Sequence, residues 1–270
     1  MTDRYAVIGN PIAHSKSPLI HQMFAQQTGQ DMCYEAILSP TDGFSATIAR
    51  LRHEGYKGCS ITVPFKFEAF QIATQLTERA QAAHAVNTLK FEGDTILGEN
   101  TDGAGLVGDI EHNLDFSLTH KKVLLLGAGG AAYGAALPLL QAGIAQLSIA
   151  NRTPEKAQRL AASLAQKFGN VSVCDFSANH SADLIINATS SSLSNASPVL
   201  PVGVFSSGSL AYEMMYGHET PFMTFARHHG AAIISDGLGM LIEQAAEAFF
   251  LWRGVRPDTL PVFTALRTLV

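Results

Sequence analysis

The sequence predicts an α/β protein made of two successive strand–helix series. Three observations carry this. Short apolar runs alternate with amphipathic stretches from Tyr5 onward, a pattern that implies mostly parallel sheets. A second series restarts at Lys122–Leu126 with an apolar run and a glycine turn. Between Val123 and Asn151 no residue is charged, yet glycines, Pro138, Gln141, Gln146 and Ser148 interrupt the run. Strands and a helix buried inside a sheet protein fit that segment better than a membrane span.

In the first series, Tyr5–Gly9 reads as a strand, and Ser17-Pro18 reads as an N-cap with proline at the first helical position, opening a helix to about Gln27. Tyr34–Leu38 reads as a strand, Asp42–Glu54 as a helix, Gly58–Val63 as a strand stopped by Pro64, and Glu68–Leu76 as a helix. Val86–Leu89 and Thr95–Gly98 are short strands, and Asp102 opens a helical stretch to about Asn113. After the glycine turn come a strand at Gln146–Ala150, a helix at Glu155–Phe168, and apolar strands at Val171–Val173, Leu184–Asn187, Ser209–Tyr212 and Ala232–Ser235. Amphipathic helices at Leu238–Trp252 and Asp258–Leu269 close the chain. The domain boundary is placed near Thr101-Asp102; periodicity alone leaves open which domain takes the last two helices.

Composition narrows the function classes. Of 270 residues, 47% are hydrophobic and 15% charged, enough for sizeable cores. The net charge of −5 lacks the basic stripe of a nucleic-acid binder. Cys33, Cys59 and Cys174 are odd in number and far apart, which fits neither a disulfide framework nor a metal clip, and no metal is expected. The first residues reach Pro11 and His14 too soon for a signal-peptide apolar region, and a cytoplasmic location is expected.

Residues Leu124 to Ala132 run from an apolar strand through Gly127-Ala128-Gly129-Gly130-Ala131 into a helix. Glycines there allow a tight turn and close approach of a pyrophosphate to a helix N-terminus. Where an NAD site places an acidic residue, the next strand ends in Asn151-Arg152-Thr153, with Lys156 one turn on. Two cations and no carboxylate favour the 2′-phosphate of NADP. The competing reading is that Arg152 and Lys156 are merely solvated charges at a helix start.

Other polar residues sit at strand ends, where ligands bind open α/β sheets. Ser15 and Ser17 suit a carboxylate at a helix N-terminus and equally suit plain capping. Thr62 and Lys66 follow the third strand, Asn87 lies in Ala85–Thr88, and Asn100-Thr101-Asp102 ends another strand. Taken singly, Lys66 is an ordinary surface residue type, and Asn100 and Thr101 an ordinary turn and cap.

Together, the segments VIGNPIAHSKSP, TVPFK, AVNT, ENTDG, GAGGA, NRT, NATS and DGLGML occur in an order that resembles the shikimate dehydrogenase family from Tyr5 to about Trp252. The resemblance implies an N-terminal α/β substrate domain (1–101), a Rossmann-type NADP-binding domain (102–238), and C-terminal helices (239–270) returning to the first. It implies NADP-dependent, reversible reduction of 3-dehydroshikimate to shikimate in aromatic amino-acid (chorismate) biosynthesis, by a monomer or homodimer. Lys66 and Asp102 would be the catalytic pair. Ser15, Ser17, Thr62, Asn87, Asp102, Tyr216 and Gln244 would bind substrate. Gly127, Ala128, Gly129, Gly130, Ala131, Asn151, Arg152, Thr153, Lys156, Met214 and Gly237 would contact NADP, with Glu78 near it. The residue types leave the transferred proton open between Lys66 and Asp102.

Four places depart from the family pattern: Ser60-Ile61 before TVPFK, His84 before AVNT, Ala132-Tyr133 after GAGGA, and Glu213 before Met214. The third removes a possible arginine contact to phosphate and leaves Arg152 more of that task. Two alternatives stand beside this reading: a quinate/shikimate dehydrogenase using NAD, opposed by Arg152, and a non-catalytic nucleotide sensor on the same fold, opposed by Lys66 with Asp102.

Overall fold

Among the described residues two six-stranded sheets organise the chain, each the centre of its own unit. The computed structural model describes residues 2–178, 181–191, 196 and 198–269. One unit holds the chain up to Gly105 together with Ile242–Leu266; the other holds Leu106–Leu241 and the residues from Arg267 on.

The first unit contains β1 (Asp3–Gly9), α1 (Ser17–Thr28), β2 (Met32–Leu38), α2 (Phe44–His53), β3 (Tyr56–Ile61), α3 (Lys66–Ile72), β4 (Gln75–Leu76), α4 (Glu78–Ala83), β5 (Thr88–Glu92) and β6 (Thr95–Glu99). The strand order is β2-β1-β3-β5-β6-β4. β1 pairs in parallel with β2 and β3, and β4 in parallel with β6, while β5 is antiparallel to both β3 and β6, so the sheet is mostly parallel with one reversed strand. Glu92 pairs with Thr95 across the two-residue Gly93-Asp94 turn, with Gly93 at φ 57°. A glycine able to take positive φ is what closes such a tight hairpin. The helix expected to reach Leu76 stops at Ile72, because Ala73 turns extended and the Thr74 amide bonds the Ile96 carbonyl. The N-cap of α1 is Lys16 rather than Ser17, and the Ser17 amide donates to Ser15 Oγ at 3.3 Å.

Next in the chain comes α5 (Asp102–Gly108), which ends in a π-helical turn at Asp109–Asn113. The boundary expected at Thr101-Asp102 falls inside this helix. The second unit then contains β7 (Lys122–Leu126), α6 (Gly130–Gln141), β8 (Gln146–Ala150), α7 (Pro154–Ala165), β9 (Val171–Cys174), β10 (Ala182–Asn187), β11 (Phe205–Glu213), α8 (Pro221–His228) and β12 (Ile233–Ser235). Every strand pair is parallel, in the order β12-β11-β10-β7-β8-β9. The chain therefore leaves β7 for β8 on one side and later returns to β10 on the other. That reversal is the doubly-wound switch point, where the carboxyl ends of the strands open a crevice. The return to the first unit falls inside the long helix α9 (Leu238–Arg253). The last helix, α10 (Leu260–Arg267), lies in the first unit up to Leu266, whereas Arg267 pairs with Asp236 through two 2.8 Å bonds and belongs to the second. No helix among the described residues is long and apolar enough to cross a membrane.

Both faces of β1 are covered. Ala6 and Ile8 pack with Phe44, Ile48 and Leu51 of α2, while Tyr5, on the opposite parity, packs with Ala248 and Trp252. Trp252 Nε1 donates to the Leu89 carbonyl at 3.0 Å, so the returning helix is fixed to the sheet by a directed bond as well as by area.

Against that aromatic layer lies His21, stacked on Tyr34 at 4.1 Å and buried, with neither ring nitrogen hydrogen-bonded. Burial pushes its pKa from 6.5 down to about 3. The unfolded chain therefore takes up this proton first. Its contribution is intact above pH 6.5 and is lost as pH falls toward 3. Phenylalanine keeps the ring and removes the proton site. Urea midpoints measured from pH 7 to 4 are expected to fall less steeply for His21→Phe than for the parent; parallel slopes would refute this account of His21.

Candidate active site

Strand register gathers the polar residues of the first unit at one edge of its sheet. β1 and β3 run parallel, so the loops that follow them leave from the same edge, and the Asn10 amide bonds the Val63 carbonyl at 3.0 Å. β5 runs the opposite way and pairs Thr88 with Ser60, which sets Asn87 beside Ile61, whose amide it accepts at 2.7 Å. Thr88 also pairs with Glu99, so β6 delivers Asn100, Thr101 and Asp102 to this edge. The residues come from four loops, and the sheet supplies the alignment.

Phe65 is fully buried and stacks on Phe44 at 4.9 Å, anchoring the start of α3 and leaving the next side chain, Lys66, half-buried. The Val86 amide donates to the Lys66 carbonyl at 2.9 Å, which fixes the backbone beneath it. Lys66 Nζ lies 2.6 Å from Asp102 Oδ2. The other carboxylate oxygen, Oδ1, accepts from Asn87 Nδ2 at 2.8 Å. Asn87 Nδ2 also reaches Thr101 Oγ1 at 2.9 Å and Gln244 Oε1 at 3.4 Å, and its Oδ1 accepts the Thr101 amide at 2.9 Å. Lys66, Asn87, Asp102 and Gln244 thus form one connected cluster. Thr101, read from the sequence only as a cap, is a member of it.

Ser15 and Ser17 sit at the N-terminus of α1 at the same sheet edge, with Ser15 Oγ already accepting one amide. Thr62 donates its amide to the Ile8 carbonyl at 2.9 Å, next to Gly9, where an added Cβ would lie 2.5 Å from the Thr62 methyl. Chemically, this edge offers a cation held by a carboxylate, amides, and hydroxyls. That set can bind a hydroxylated acid and move a proton.

In the second unit a cleft of about 590 Å³ opens at the switch point. Gly127, Ala128, Gly129, Gly130, Ala131, Asn151, Arg152, Thr153 and Lys156 all line it. Gly127 has φ 110°, and a Cβ there would lie 2.9 Å from the Ala188 carbonyl. At Gly129 and Gly130 a Cβ would meet nothing within 4 Å, so side chains there would fill the cleft itself. Asn151 Oδ1 accepts the Ala128 amide at 3.1 Å, which ties the glycine turn to β8 and leaves the first amides of α6 for an anion. Arg152 and Lys156 are exposed and line the cleft, where a guanidinium and an ammonium are groups suited to a phosphate. The cradle and its cations fit a phosphorylated dinucleotide.

The structure adds lining that the sequence reading missed: Phe176, Thr189, Ser190 and Ser191, with Ala196 and Pro198. Thr189 and Ser190 belong to NATS at the carboxyl end of β10, the strand beside β7, and strand adjacency was the missing signal. Met214 and Gly237 lie outside this lining, packed together at the ends of β11 and β12; a Cβ on Gly237 would collide with the Met214 carbonyl. Tyr216 is in the second unit, where burial raises the pKa of its hydroxyl, and Glu78 opens α4 in the first.

Residues 7–89 match the family described as shikimate dehydrogenase substrate binding domain, residues 110–197 match shikimate / quinate 5-dehydrogenase, and residues 237–266 match shikimate 5'-dehydrogenase C-terminal domain. The chain is 57% identical over 267 residues to the shikimate dehydrogenase (NADP(+)) of Methylobacillus flagellatus, covering 98% of this chain and 99% of that one. It is 51% identical to the Ael1 enzyme of Pseudomonas putida, with 98% of each chain covered and a TM-score of 0.94. The shikimate 5-dehydrogenase of Thermus thermophilus, solved in complex with NADP(H) and shikimate, is 31% identical, covers 99% of this chain and 100% of its own, and gives a TM-score of 0.89.

The positive φ and the near contact at Gly127 yield a direct test. Gly127→Ala is expected to weaken NADP binding about ten- to hundredfold, from strain of about 1–3 kcal/mol. Calorimetric titration with NADP measures this, and a parental affinity would remove the cradle from the account.

Proposed function

The chain belongs to the shikimate dehydrogenase family and is an NADP-dependent oxidoreductase; from that premise we propose that it reversibly reduces 3-dehydroshikimate to shikimate, as a step of aromatic amino-acid (chorismate) biosynthesis. The observation that carries the reading is the Lys66–Asp102 contact at 2.6 Å, at a sheet edge lined with amides and hydroxyls.

Oxidising a secondary alcohol takes a hydride from carbon and a proton from oxygen. Bound NADP supplies the hydride acceptor. The proton is the protein's task, and we assign it to the Lys66–Asp102 pair acting together. Asp102 Oδ2 fixes the direction of Lys66 Nζ, and Asn87 holds Oδ1 so that the carboxylate cannot rotate away. In the reductive direction Lys66 Nζ–H is directed at the substrate oxygen; in the oxidative direction the pair receives the proton. Ser15 and Ser17 would hold the substrate carboxylate at the α1 N-terminus. Thr62, Asn87, Tyr216 and Gln244 would bind the carboxylate or ring hydroxyls. The exposed Arg152 and Lys156, beside the Gly127–Ala131 turn, would hold the 2′-phosphate and diphosphate. Met214, Gly237 and Glu78 would complete the NADP contacts.

A steady-state assay with shikimate and quinate, each with NADP and NAD, tests this. Shikimate with NADP is expected to be the preferred pair. No turnover of shikimate with either cofactor would sink the proposal, and a preference for NAD would overturn the role given to Arg152.

A further inference from the structure

Beneath the cluster lies a second, fully partnered carboxylate. Glu99 is the last residue of β6 and is buried. Its Oε1 accepts from Thr77 Oγ1 at 2.7 Å, from Arg79 Nε at 3.2 Å and from the Asn100 amide at 2.7 Å. Its Oε2 accepts from Arg79 Nη2 at 3.0 Å, so the guanidinium grips both oxygens. Arg79 Nη1 also lies 3.5 Å from Glu247 Oε2, one helical turn after Gln244.

We propose that Arg79, acting through Glu99, is a positioning residue for the Lys66–Asp102 pair; this rests on the catalytic reading of that pair given above. The path is short. Glu99 captures the amide of the very next residue, which turns the chain out of β6. Asn100 then uses Oδ1 to accept the Asp102 amide at 3.2 Å and Nδ2 to bond the Ala85 carbonyl at 3.1 Å. The carboxylate therefore sets the first peptide of the loop carrying Thr101 and Asp102. Through Glu247, the same arginine restrains the helix carrying Gln244, the other contributor at Asn87. Three separate segments meet at one guanidinium, and two of them deliver residues to the cluster. Stability alone is a weak reason for such a pair, since buried ion pairs are often replaceable by apolar groups without loss. Its geometry, aimed at the turn before Asp102, gives it a use.

Arg79→Ala leaves a buried carboxylate short of partners and free to shift the turn. Glu99→Gln keeps an oxygen able to accept the Asn100 amide without the charge. Purified Arg79→Ala, Arg79→Lys, Lys66→Ala and the double variant Arg79→Ala/Glu99→Gln are assayed with shikimate and NADP, with rates normalised to folded protein by near-UV circular dichroism. In folded Arg79→Ala, kcat is expected to fall about tenfold or more with KM for NADP unchanged, as displaced catalytic geometry requires. Arg79→Lys is expected to recover part of the rate, and the double variant to be faster than Arg79→Ala. A purely structural role would change the folded fraction and leave kcat per folded molecule alone. A kcat within about twofold of the parent in folded Arg79→Ala, or a double variant no faster than it, would overturn the proposal. If Arg79→Ala does not fold, Arg79→Lys decides: a reduced kcat at parental KM for NADP supports the role, and a parental kcat removes it. Lys66→Ala separates the two readings. A parental rate there defeats the catalytic assignment itself, whereas an inactive Lys66→Ala beside an unaffected Arg79→Ala defeats only the positioning role.

Discussion

The buried side-chain amide of Asn87 is the constraint on which the rest of the first unit's site depends. It is 3% exposed, and its nitrogen faces oxygens of Asp102, Thr101 and Gln244 while its oxygen takes the Thr101 amide. A buried amide left unpaired costs on the order of 1–3 kcal/mol, so this group holds its neighbours firmly. One consequence is rotational: with Oδ1 of Asp102 occupied, Oδ2 is left for Lys66. The ion pair is thus oriented by a neutral group between strands, which a flexible lysine on a surface helix could not manage alone.

The two sites follow one design. Each lies where strand ends deliver loops to a single sheet edge, so the position of a residue after its strand fixes where it can act. In the second unit all six strands are parallel and the crevice forms at the β7 switch point. In the first, the antiparallel β5 brings the start of one strand against the end of another, so Asn87 joins residues that leave β3 and β6. A mixed sheet is what allows a residue preceding a strand to share a site with residues following one.

This explains how much was legible in the sequence. The glycine turn, Arg152 with Lys156, and the alternation of strands and helices depend on local chemistry and could be read locally. The antiparallel β5–β6 hairpin was not recognised, although Gly93-Asp94 lies between the two strands, because strand–helix alternation implies mostly parallel sheets without marking which strand runs the other way. Helix α4 was missed for a related reason. It is short and begins at a threonine cap, Thr77, inside a stretch too brief to show a helical period. The Glu99–Arg79 pair and the Asn87 hub join residues far apart in the chain through side-chain geometry, and no spacing rule exposes such contacts. Shikimate as the substrate came from family resemblance, because amides and hydroxyls at strand ends would suit many polyols.

The central claim is that Lys66 and Asp102 act as one unit. A double-mutant cycle in kcat over Lys66→Ala, Asp102→Asn and the combined variant tests it most directly. Two groups that serve a single proton step lose their shared function when either is removed. The account therefore predicts that the combined variant is no slower than the slower of the two single variants. Losses that multiply would mean independent contributions and would contradict it.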